Sequence, residues 1–110
     1  MPIEDRVGDY VNKITFVEDY VQIGFNNIIL TAIANPIVEY EGSQWRFPQP
    51  GSRDALCSLI RQVVSKIDID TNRYVRLMFD KGYILTIPLD EMNRGSEALL
   101  YDAGPDWNVW

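Results

Sequence analysis

The sequence predicts an α+β fold that is mainly β: a bent antiparallel sheet, or a small two-layer sandwich or partly open barrel, of about seven strands with one helix packed on it. Three observations predict it. Apolar and polar residues alternate over several short runs, among them Val21, Ile23, Phe25 and Val75, Leu77, Phe79. Clusters of Asn, Asp, Gly and Pro separate those runs at short intervals. One stretch alone, after Pro48, Pro50 and Gly51, carries helical spacing. At 110 residues the chain has the length of one domain, so residues 1–110 are assigned to a single unit. Its 46% hydrophobic and 12% aromatic content supplies enough apolar surface to offset the entropy of ordering.

Taken in order, Ile14 and Phe16 form a first strand, Glu18-Asp19 a turn, and Val21 to Phe25 a second strand. Asn26-Asn27 tolerates positive φ and precedes the β-branched run Ile28 to Ala34, which Asn35-Pro36 stops. Ile37 to Tyr40 and Trp45 to Phe47 flank a turn at residues 41–44. Ser52 is placed to N-cap a helix with Asp54 in its first turn, and Leu56, Leu59, Ile60, Val63 and Val64 supply its apolar face. Cys57, beside that face, reads as a small buried hydrophobe. Ile67 and Ile69 alternate with Asp68 and Asp70, and Val75 to Phe79 joins Tyr83 to Leu89 through Asp80-Lys81-Gly82. Pro88 belongs at an edge or where no amide donor is required. From residue 90 onward acids, glycines and Pro105 mix with apolar residues, and Trp107 to Trp110 reads as a short final strand.

Composition narrows the function. The chain holds sixteen acidic residues, ten Lys and Arg and no histidine, so the commonest general base and the commonest metal ligand are both missing. Its one cysteine cannot pair internally, and no zinc spacing, nucleophile triad or phosphate loop is present; no cofactor, metal or catalytic activity is expected. Two other readings use particular residues: a divalent-cation or acid/base pair at Asp68 and Asp70, and a non-catalytic small-ligand or regulatory module lined by Tyr and Trp. A net charge of -6 opposes nucleic-acid binding and favours a basic protein partner. The N-terminus shows no signal-peptide pattern and no apolar run is long enough to span a membrane, which points to the cytoplasm.

The acid excess has a location. Residues 90–110 carry Asp90, Glu91, Glu97, Asp102 and Asp106 against Arg94, with Tyr101, Trp107 and Trp110 interleaved. Aromatic anchors within a charged rim are how protein interfaces concentrate binding energy, so Asp90, Glu91, Glu97, Tyr101, Asp102, Asp106 and Trp107 are the candidate partner-binding residues.

Four short motifs carry a resemblance. Arg53-Asp54 opening the helix with Leu56-Cys57 inside it, Phe79-Asp80-Lys81-Gly82, Arg94-Gly95-Ser96-Glu97-Ala98 and the closing Trp107-Asn108-Val109-Trp110 resemble a group of small bacterial proteins. In that group a helix beginning Arg-Asp is followed by a Phe-Asp-x-Gly hairpin, a Gly-Pro-Glu-Ala stretch and Trp-x-Val-Trp. The likeness spans roughly residues 14–110, with Ser96 where Pro is common. Its members include immunity proteins of bacterial toxin systems, contact-dependent growth inhibition among them. The resemblance implies a protein that binds and neutralises a cognate toxin C-terminal domain, with a nuclease the expected target; it assigns no site residues.

Overall fold

The computed structural model describes residues 3–18, 20–89, 99–103 and 106–109. Within them the protein is a two-layer, mainly β fold whose sheets do not close into a barrel. A 3-10 turn (η1, Ile3–Arg6) precedes β1 (Lys13–Val17), β2 (Tyr20–Phe25) and β3 (Ile28–Ala32), a meander. The chain crosses to the second sheet for β4 (Ile37–Tyr40), β5 (Ser43–Arg46), the short helix α1 (Ser52–Cys57), β6 (Val64–Asp70), β7 (Tyr74–Phe79) and β8 (Ile84–Pro88). It then returns to the first sheet for the hairpin of β9 (Leu99–Ala103) and β10 (Asp106–Val109). The sheet orders are β1-β2-β3-β9-β10 and β5-β4-β8-β7-β6, antiparallel throughout.

Alternation and turn chemistry explain these elements. Val21, Ile23 and Phe25 of β2 face Leu30, Ala32 and Tyr101 of the same sheet and Val38, Leu77, Leu85 and Ile87 of the other, forming one core cluster. The β2–β3 turn holds Asn26 at φ 60, and Asn12 fixes it by accepting its amide at 3.1 Å. Glu41 and Gly42 both have positive φ, 50 and 80, the pair that a right-twisted two-residue hairpin requires. Gly82, at φ 97, does the same service between β7 and β8.

Pro88 ends a central strand without breaking it. The Leu89 amide donates to the Arg73 carbonyl at 2.8 Å, which makes Tyr74 and Pro88 a non-hydrogen-bonded pair, and the pairing of β4 with β8 stops at Thr86. No amide donor is needed at that position.

Several expectations are corrected. Among the described residues the strands number ten, the one added to those read in order along the sequence being β9, which holds Leu99 and Tyr101. The helix ends at Cys57 instead of running to Val63 or Val64. After it, Leu59, Ile60 and Gln62 donate to carbonyls three residues back, and Arg61 turns the chain at φ 76. The β-branched residues that follow favour extended backbone: Ile60 bridges to Val11, Val63 to Tyr10, and Val64 opens β6. Cys57 is exposed, since the shortened helix buries only Ser52, Ala55 and Leu56.

Ser52 is not the N-cap either. Gly51 occupies that position at φ 85, and Ser52 lies inside the first turn, fully buried, with its hydroxyl lacking a hydrogen-bond partner. An orphan buried hydroxyl costs about 1–3 kcal/mol, whereas a methyl in its place costs nothing polar. Ser52→Ala is therefore expected to stabilise the protein by about 1 kcal/mol, read as a higher urea midpoint with an unchanged slope.

Candidate interaction surface

Of the residues expected to form a partner surface, those described lie on the β9–β10 hairpin. β9 enters the first sheet beside β3, with Leu30 opposite Tyr101 and Ile29 opposite Asp102, and β10 adds the outer strand. Pleating turns successive side chains to opposite faces. Tyr101 consequently points into the core, fully buried, and Asp102 points outward, exposed. This corrects the expectation for Tyr101, whose ring closes the interior and cannot touch a partner. Register sets Trp107 opposite Asp102 and Asp106 opposite Ala103, so Asp102, Asp106 and Trp107 are brought together on one hairpin. Asp90, Glu91 and Glu97 lie outside the described residues.

The N-terminal turn adds carboxylates that the sequence does not flag. Arg6 is buried, its guanidinium paired with Asp9 at 2.6 Å. It also lies within hydrogen-bond reach of the Tyr101 phenol. Burial pushes that phenol above its ordinary pKa, Arg6 opposes the shift, and the charges of Asp5 and Asp9 reinforce it. Asp5 and Asp9 thus act on the Tyr101 phenol, on the core side of β9, whereas Asp102 projects from the opposite face of that strand. Nearly one hundred residues of chain separate these acids, which is why spacing in the sequence cannot reveal them. The usable hint is local: Glu4, Asp5 and Asp9 surround one arginine.

The other carboxylate pair is locally occupied. Asp70 accepts the Asn72 amide at 3.2 Å and pairs with Arg73 at 2.9 Å, completing the β6–β7 turn. Asp68 accepts the Tyr74 hydroxyl at 3.4 Å. Among the described residues no group of three or more Cys, Asp or Glu is arranged to hold a metal ion, and no helix is long and apolar enough to cross a membrane. Two aromatic contacts fall elsewhere: Tyr40 stacks on Tyr83 at 3.9 Å, and Phe16 on Phe47 at 5.9 Å with Arg53 over both rings.

No protein-family model, no curated protein and no solved structure matches the chain.

Proposed function

We propose that the chain is an immunity protein that binds and neutralises a cognate bacterial toxin domain, a nuclease, through an acidic surface centred on the β9–β10 hairpin. The observation that carries the reading is Asp102, exposed on the outward face of β9 beside the outer strand β10. A nuclease cleft is lined with cations placed for phosphates. Carboxylates held on a rigid sheet occupy such positions, steer the encounter and exclude the substrate. On the outer strand the register sets Trp107 opposite Asp102. The cytoplasm, where a toxin that cuts nucleic acid acts, is the compartment in which it would work.

The test is binding to the C-terminal domain of a toxin encoded beside this chain. A tight complex that blocks cleavage is expected, with an association rate that falls steeply as salt rises. Reversing one charge, Asp102→Lys, is expected to weaken it about tenfold, mostly through association. Absence of binding, or failure to rescue growth of cells expressing the toxin, sinks the proposal. Thermal stabilisation by a metabolite without toxin binding would favour a small-ligand module instead.

A further inference from the structure

The outer face of the second sheet differs in charge from the chain as a whole. Register defines its rows. One crosses from the β5 edge to the β6 edge as Arg46, Ile37, Thr86, Arg76 and Asp68; the next runs Gln44, Glu39, Ile84, Met78 and Lys66. Including Asp70, three cations and three anions balance on this face, although the whole chain carries -6. Its middle mixes half-buried Ile37, Ile84 and Met78 with Thr86 and the two charges Arg76 and Glu39.

Arg76 is held in place. Its guanidinium lies 4.1 Å over the Tyr74 ring, its Nε donates to Thr86 Oγ1 at 3.2 Å, and the Tyr74 hydroxyl reaches Asp68. Side chains fixed in advance lose little entropy on docking.

We propose that this face joins two copies of the chain. A two-fold axis running parallel to β8 and midway between the copies lays each β8 over the other, and β5 of one copy over β6 of the other. Arg46 then meets Asp68 of the other copy, and Ile84 meets Ile84 across the axis. Glu39 falls one row from Arg76 of the other copy. The rows are self-complementary because their cationic and anionic ends lie on opposite edges. On this neutral face, the repulsion expected between two acidic chains is least. Five strands about 4.8 Å apart give a footprint on the order of 400 Å² per copy, below the roughly 800 Å² per partner of a standard interface, so the dimer is a weak one.

Sedimentation velocity of the full chain from about 5 to about 500 µM tests this. A reversible monomer–dimer equilibrium is expected, with a dissociation constant on the order of tens of micromolar. Ile84→Glu raises that constant at least tenfold, as does Asp68→Arg, and adding Arg46→Asp to Asp68→Arg restores association. Circular dichroism and urea midpoints identify variants that remain folded; if Ile84→Glu does not fold, the charge swap alone decides. A chain that stays monomeric throughout, or a dimer indifferent to both single substitutions, overturns the proposal. So does a monomer whose Ile84→Glu variant folds but no longer binds the toxin domain, which would give this face to the toxin.

Discussion

Tyr101→Ala is expected to cost about 3–5 kcal/mol, enough to leave the protein largely unfolded at physiological temperature if its total stability lies near the low end of the usual 5–15 kcal/mol. The ring is fully buried, opposite Leu30 in the sheet and near the buried guanidinium of Arg6. Truncation opens a cavity between two layers that cannot move together, because β9 is hydrogen-bonded on both sides. Urea denaturation gives the loss directly. Tyr101→Phe keeps the ring and removes only the hydroxyl facing Arg6, at about 1–2 kcal/mol. The same variant answers a pH question. Burial raises the phenol above its ordinary 10.0, so the folded chain keeps a proton that the unfolded chain loses near pH 10. This contribution is fully present below that pH and is lost as pH rises through the folded value. Tyr101→Phe is expected to flatten that part of the alkaline decline; an unchanged decline places its cause elsewhere.

Gly51→Ala is expected to cost about 2–3 kcal/mol, a large effect for one methyl group. Two terms add. Gly51 has φ +85, where any residue with a β-carbon is strained, and that carbon would stand 3.0 Å from Trp45 Cδ1 and 3.1 Å from Nε1. Trp45 is partly buried against the core and has little room to retreat. Gly42 separates the terms: its φ is +80 with nothing within 4 Å of an added carbon, so Gly42→Ala reports the backbone cost alone, about 1 kcal/mol. Equal losses at the two glycines would show that the Trp45 contact costs nothing.

Local signals carried much of the architecture. The Asn26 turn and the β7–Gly82–β8 hairpin combine strict alternation with residues that accept positive φ, and these and the β1–β2 pair fold as their sequences read. The helix overran because Leu56, Leu59, Ile60 and Val63 keep helical spacing, while the branching of Ile60, Val63 and Val64 weighs the other way and tertiary bridges from Tyr10 and Val11 settle it. β9 was hidden by Ala98-Leu99-Leu100-Tyr101, an unbroken apolar run in which no alternation shows until Asp102. Of the candidate surface, the outward aspect of Asp102 follows from pleating once the strand is known. The influence of Asp5 and Asp9 on the Tyr101 phenol follows only from long-range packing, which no local pattern encodes.

The placement of β9 has a consequence for synthesis. β3 ends at Ala32, yet its outer neighbour is complete only at Ala103, after the whole second sheet has been translated. At the usual 5–20 residues per second, the ribosome takes roughly 4–14 s to add those residues. Throughout that interval the emerging meander carries an open strand edge flanked by Phe25 and Leu30, side chains that the finished fold conceals. A nascent chain in this condition is a natural client for chaperones. Its vulnerability to aggregation is therefore set by the pace of elongation as much as by the stability of the finished domain.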